Sequence, residues 1–213
     1  MLSRRIEPDH NCNLCSRLRQ FREENRVRFP SYFNGPVPTF GSADARLLIV
    51  GLAPGLHGAN RTGRPFTGDF AGDLLYGTLL KRGLAEGIYE RHARDSVVLD
   101  CCVISNAVRC VPPENKPTPL EVRTCRPFLV SLIQNMRNLR VVLALGKIAH
   151  ESVLDALAAS KKEHPFKHGA CYEIGSLTLV ASYHCSRYNT NTGVLTAAMF
   201  DDVVAKAQQG TLR

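Results

Sequence analysis

No stretch of the chain approaches the roughly 18 consecutive apolar residues of a membrane-spanning helix, so an integral membrane protein is excluded. Its first residues, Met1-Leu2-Ser3-Arg4-Arg5-Ile6-Glu7-Pro8, run straight into polar sequence and lack the apolar stretch of a secretory signal. A cytoplasmic protein is therefore expected, associated with the nucleoid if the source is prokaryotic. Internal repeats, low-complexity tracts and a domain linker are all missing, which points to one domain over residues 1–213. A full phosphate-binding loop is missing too. Gly146-Lys147 is its nearest echo, without the upstream glycine or the following Ser or Thr, so a nucleotide-binding α/β protein has little support.

What is present is ordinary globular composition: 213 residues, 44% hydrophobic and 22% charged, enough to bury the core of one large α/β domain. The formal charge of +8 suits a polyanionic partner, although a basic protein without one is common. Eight cysteines in a chain expected to stay in a reducing compartment favour metal or cluster ligation over disulfides.

From Ala45 onward, short aliphatic runs alternate with segments of helical period, the pattern of a parallel sheet covered on both faces. The expected fold is a three-layer α/β/α sandwich around a central, mostly parallel sheet. Strands are expected at 46–50, 97–104, 140–145 and 177–182, and helices at about 69–81, 119–135, 147–159 and 194–206. Thr118-Pro119-Leu120-Glu121 reads as a capping box with proline in the first turn, while Pro127 is expected to kink or break that helix. Residues 1–44 read as an N-terminal extension packed on the domain. The polar segments beginning at Gly51, Ser105, Gly146 and Tyr183 each follow a strand directly. In a parallel sheet such strand ends open on one edge, where ligands bind.

Cys12 and Cys15 form a Cys-x-x-Cys pair, and Cys110 and Cys125 flank a Pro-rich loop and the first turns of a capped helix. Four thiolates arranged so can close a tetrahedral zinc site or hold a cubane iron-sulfur cluster, and spacing alone does not choose between them. Cys101 and Cys102, inside an apolar run, are expected to be buried free thiols.

Four motifs add to these cysteines: Gly51-Leu52-Ala53-Pro54-Gly55, the long segment from His57 to Asp69, Asn106-Ala107-Val108-Arg109-Cys110-Val111-Pro112-Pro113, and His184 with Ser186-Arg187 and Asn189-Thr190-Asn191-Thr192-Gly193. With them the sequence resembles the uracil-DNA glycosylase superfamily, specifically its iron-sulfur members of the B type, family 5, over nearly the whole chain. The resemblance implies a 4Fe-4S cluster, in preference to zinc, on Cys12, Cys15, Cys110 and Cys125. It also implies removal of uracil and other deaminated bases, such as hypoxanthine and xanthine, from DNA in base excision repair. One departure is plain: the family commonly has His-Pro-Ser where this chain has His184-Cys185-Ser186, which removes a proline that fixes φ and predicts a less stiff loop.

Such chemistry requires the target nucleotide to be extruded into a pocket that stacks its ring and reads its edge. Phe66 can stack, and Asn106 can present a donor and an acceptor together to the imide edge of uracil. Gly51, Ala53 and His184 complete the expected base contacts, with His184 donating to the base oxygen as charge develops there. Leu52 and Ala53 provide no acid in the first motif, which leaves Asp69 to hold water and stabilise the sugar cation, to cap the helix beginning there, or both. Arg61, Arg64, Ser186 and Arg187 are the expected phosphate contacts. No motif offers a lysine as imine former, so hydrolysis without strand cleavage by a monomer is expected. The competing reading is a catalytically weak or inactive nucleic-acid-binding module with a structural metal site.

Overall fold

A computed structural model describes residues 7–212. In chain order the elements are α1 (Ser16–Arg28), β1 (Phe40–Gly41), β2 (Leu47–Gly51), α2 (Ala59–Thr62), α3 (Phe70–Lys81), β3 (Ala85–Glu86), β4 (Val98–Leu99) and β5 (Cys102–Asn106). A single 3-10 turn at Pro113–Asn115 leads to α4 (Pro119–Asn135), β6 (Val141–Leu145), α5 (Lys147–Ala156), β7 (Cys171–Ile174), β8 (Leu177–Ser182), α6 (Arg187–Asn191) and α7 (Ala197–Gly210).

Six strands form one sheet in the order β1-β5-β2-β6-β8-β7. The inner four are parallel, while β1 and β7 close the edges antiparallel. β2, β5 and β6 are buried along their whole length, as expected for parallel strands covered on both faces. Alternate side chains then serve two cores. Leu47, Ile49, Ile104 and Leu143 meet α3 and α7, and Leu48, Val50, Val103 and Val142 meet α4 and α5. The α/β/α sandwich expected from the alternation is the observed architecture. Among the described residues, no helix is long and apolar enough to cross a membrane.

Three local expectations need correction. The run at 97–104 is not one strand: Cys101 takes a positive φ of 53°, β4 pairs with β3 in a separate small sheet, and only Cys102–Asn106 joins the main one. Cys101 is consequently exposed, whereas Cys102 is buried. Pro127 does not break α4, which runs unbroken from its Thr118/Glu121 capping box to Asn135. The last helix begins at Ala197, where Thr196 accepts a hydrogen bond from the Met199 N–H and so caps it.

The N-terminal extension carries α1, whose buried residues Leu18, Arg22 and Asn25 share one helix face. It is tied down by polar contacts. Arg17 donates to both carboxylate oxygens of Glu121 at 2.8 and 2.7 Å, and Val37 N–H donates to Arg109 O at 2.7 Å.

The parallel register of β2 and β5 sets Gly51 directly beside Asn106, at the ends where both strands leave the sheet. The loops after β2, β5 and β8 meet at that edge.

Candidate active site

The alignment of Gly51 with Asn106 shapes the innermost part of the cleft. A Cβ atom on Gly51 would lie 2.5 Å from both Asn106 Oδ1 and the Phe66 ring, so only glycine lets the two side chains close over this strand end. Gly51 therefore sits behind the pocket, while Ala53, Gly55, Ala59, Phe66, Asp69, Ala71, Asn106 and His184 line it. The inner pocket has about 260 Å³ of empty space. It continues into an open cleft that shares Ala53, Gly55, Asp69, Ala71 and His184.

Asn106 is only 3% exposed, and its side-chain amide has no hydrogen-bond partner among the described residues. An open donor and acceptor at a nearly buried residue, facing a pocket, leave a place for a ligand. The Phe66 and His184 rings stand 5.9 Å apart and only 28° from parallel, two aromatic walls of the same space.

Asp69 is the N-cap of α3, its Oδ1 accepting from Gly72 N–H at 3.2 Å. Helix capping is thus one of its roles. The other oxygen, Oδ2, presses against the loop after β2, where a Cβ atom on Gly58 would stand 2.3 Å away. Burial raises the Asp69 carboxyl above its ordinary value, opposed by the backbone N–H groups of Gly72 and Ala71 and by the charge of Arg61.

His184 has no hydrogen-bond partner for its ring among the described residues, and burial pushes its pKa down to about 4. It is a neutral imidazole at physiological pH. The loop carrying it is held without the proline. The Cys185 thiol is fully buried and donates to Ala71 O at 3.5 Å, and Asn189 Nδ2 donates to His184 O at 2.8 Å. The loss of stiffness predicted from the missing proline is therefore offset by contacts to α3 and α6.

The four expected phosphate contacts part company. Arg187 is exposed at the rim of the cleft, its guanidinium 5.5 Å from the centre of the Phe70 ring. Ser186 lies beside it and caps α6 by accepting from Asn189 N–H. Arg61 is exposed and reaches Gly68 O at 3.4 Å. Arg64 does not fit its expected role: it is 4% exposed and its fork is filled by Asp95 at 2.6 and 2.7 Å. A buried guanidinium with both arms engaged has none left for a phosphate.

Cys12, Cys15, Cys110 and Cys125 line a single pocket between α1, the loop after β5 and the start of α4. Buried Arg22 donates from Nη1 to Cys110 Sγ at 3.7 Å, and Arg109 N–H donates to Cys125 Sγ at 3.4 Å. Among the described residues, no three His, Cys, Asp or Glu side chains are grouped closely enough to hold one metal ion.

Residues 38–208 match the family model described as the uracil DNA glycosylase superfamily. The chain belongs to the uracil-DNA glycosylase superfamily. Within it, the chain is 46% identical over 204 residues to the type-5 uracil-DNA glycosylase of Thermus thermophilus, covering 93% of each protein. It is 40% identical over 201 residues to the type-5 enzyme of Pyrobaculum aerophilum, covering 92% of this chain and 88% of that one. To the type-4 uracil-DNA glycosylase of Pyrobaculum aerophilum it is 30% identical over 159 residues, 74% of this chain and 72% of the other.

In this chain several lining residues escape a reading by residue chemistry. Gly55, Ala59 and Ala71 contribute to the inner pocket only by being small, and His57, Phe70 and Asn115 line the outer cleft. Apart from Asn115, in the loop after β5, the sequence signal for them is position within or beside the long motif loop, and the small residues carry no chemical signature of their own.

Proposed function

We propose that this protein hydrolyses the N-glycosidic bond of uracil in DNA, and of deaminated purines such as hypoxanthine and xanthine, as the first step of base excision repair. The observation that carries this reading is the amide of Asn106, open to the pocket and without a hydrogen-bond partner among the described residues, in one pocket with the ring of Phe66, the neutral imidazole of His184 and the carboxylate of Asp69.

Each group has a part that its chemistry suits. The extruded base enters the inner pocket, where Phe66 offers it an aromatic face. Asn106 pairs with the imide edge, donating from Nδ2 and accepting at Oδ1. As the bond to the sugar breaks, the base gathers negative charge and the sugar approaches an oxocarbenium ion. His184, half-buried and held neutral by desolvation, donates a hydrogen bond to the base oxygen where that charge collects. Asp69 Oδ2 faces the sugar side, where it orients the attacking water and offsets the positive charge, while Oδ1 keeps its cap on α3. Ser186 and Arg187 at the rim, and exposed Arg61 against Gly68, hold the flanking phosphates. The small side chains at Gly55, Ala59 and Ala71 leave width that supports a purine as well as a pyrimidine.

The cysteine cavity fits a 4Fe-4S cluster on Cys12, Cys15, Cys110 and Cys125. Four thiols line one pocket, the donor set that such a cluster takes. Bound there, the cluster supplies a cross-link between the N-terminal extension and the loop after β5, with Arg22 and the Arg109 N–H donating to its sulfur ligands.

Absence of an acid at Leu52 and Ala53 favours the alternative of a binding module without catalysis; Asp69 supplies the carboxylate that they do not. The test is purified protein on oligonucleotides each carrying one damaged base. Release of free uracil, with strand breaks appearing only after alkali, is expected. Tight binding to such DNA with no base released would favour the binding module.

A further inference from the structure

Phe66 holds an unusual backbone for an aromatic residue, with φ of 52°. Left-handed conformations at bulky residues persist only where the surroundings enforce them. Here much of the enforcement comes from the segment between β3 and β4, which lines neither the inner pocket nor the outer cleft. The Tyr89 hydroxyl donates to Phe66 O at 3.3 Å and accepts from Gly68 N–H at the same distance. One hydroxyl thus bridges the residues on either side of Thr67. The first turn of α3 closes against the same point: a Cβ atom on Gly72 would be 1.9 Å from Phe66 O and 2.4 Å from the Tyr89 hydroxyl.

Tyr89 is itself anchored. Its ring stacks on Tyr76 at 4.5 Å, and Tyr76 donates to Pro65 O at 2.9 Å. Asp95, on the same segment, receives the fork of Arg64 and also accepts from the N–H groups of Glu90 and Val97 at 3.1 Å each. Arg64 Nε in turn donates to Thr67 Oγ1 at 2.9 Å. The segment and the pocket loop are therefore clamped at two points, Arg64 with Asp95 and Tyr89 across Phe66 and Gly68. Burial pushes the Tyr89 phenol up to about 12, which keeps its proton in place at neutral pH.

We propose that Tyr89 is a positioning residue that sets the Phe66 ring for stacking on the extruded base, with Arg64 and Asp95 fixing the segment that carries it. This rests on the function proposed above and adds a region that none of its motifs includes. Tyr89→Phe keeps the ring stacked on Tyr76 and removes only the hydroxyl.

The experiment is a double-mutant cycle in single-turnover cleavage of uracil-containing DNA, with wild type, Tyr89→Phe, Phe66→Ala and the double variant, each checked by thermal melting. Tyr89→Phe should be slower by about 3- to 10-fold, the scale of a lost hydrogen bond. In the Phe66→Ala background the same change should have less than about a twofold effect. Equal losses in both backgrounds, or none in the wild-type background, would overturn the proposal. A second readout needs no activity. With all nine phenylalanines labelled with fluorine, the Phe66 resonance is identified by its disappearance in Phe66→Leu. Tyr89→Phe adds a tenth labelled ring, recognised as the resonance absent from wild type and retained in Tyr89→Phe with Phe66→Leu, and it should shift or broaden the Phe66 resonance; an unchanged Phe66 resonance would also overturn the proposal. If wild-type protein releases no uracil, the proposed function fails, and the fluorine spectrum still decides the role of Tyr89.

Discussion

Gly58 and Asp69 meet so closely that a Cβ atom on the first would stand 2.3 Å from Oδ2 of the second. The loop after β2 therefore sets the position of one carboxylate oxygen while Gly72 N–H holds the other. Asp69→Asn should keep the cap, because asparagine caps about as well as aspartate, but lose the charge. Single-turnover cleavage is expected to fall by about 10- to 100-fold with melting temperature nearly unchanged. Gly58→Ala should bring a comparable loss by displacing the carboxylate, since a misplacement of about 1 Å can cost roughly 100-fold. Wild-type rates in Asp69→Asn would leave Asp69 a helix cap only.

His184 has a distinct signature in pH. Burial holds it at about 4 against an ordinary 6.5, so the unfolded chain binds more protons than the folded one between those values. Stability contributed by the neutral ring is present above pH 6.5 and is lost as pH falls toward 4. Burial lowers His150 and His168 too, which adds loss of the same sign, whereas the raised carboxyl of Asp69 acts in the opposite sense. His184→Gln should flatten the acid side of a plot of melting temperature against pH. Its single-turnover rate should fall, with His184→Ala costing about 2 to 4 kcal/mol, the scale of one preorganised donor. A wild-type cleavage step centred near pH 6.5 that His184→Gln abolishes would contradict a neutral imidazole.

Arg187 and Arg64 should separate cleanly in DNA binding. Arg187→Ala should weaken affinity and reduce the slope of log affinity against log salt by about 1, as expected for one lost phosphate contact. Arg64→Ala should leave that slope alone and instead lower stability by about 3 to 5 kcal/mol, because it strands Asp95 in the interior. Salt titrations and denaturation of both variants check this, and a reduced slope in Arg64→Ala would restore it as a phosphate contact.

Cys12→Ala should diminish visible absorption and iron content, about four irons per chain in the wild type, together with folding yield. Cys101→Ala, at an exposed position outside the cavity, should change none of these. Equal effects of the two, or one zinc and no iron in protein made anaerobically with adequate iron, would reject the cluster.

How much could be read from sequence follows from what each residue contributes. Strands such as Leu47–Gly51 and Val141–Leu145 were legible because parallel strands buried on both faces leave nearly continuous aliphatic runs. Asn106, Asp69 and His184 were legible because their side chains carry chemistry at strand or helix ends. By contrast, α1 hides from a periodicity reading: its buried face carries Arg22 and Asn25, which look like surface residues. Arg64 was misread for the reverse reason, since nothing in its own neighbourhood announces that Asp95, thirty-one residues later, fills its fork. Tyr89 gave no signal at all, because a clamp made by one hydroxyl on backbone atoms leaves no motif.

The most direct test is uracil release itself under single-turnover conditions, comparing wild type with Asn106→Asp. A carboxylate at 106 cannot offer the donor that the imide edge needs, and it places charge beside a base that is itself becoming negative. Wild-type protein should release free uracil and leave an intact strand with an abasic site, and Asn106→Asp should be slower by at least about 100-fold, roughly the loss of one preorganised donor. Equal rates in the two proteins, or no uracil released by the wild type, would contradict base excision in this pocket.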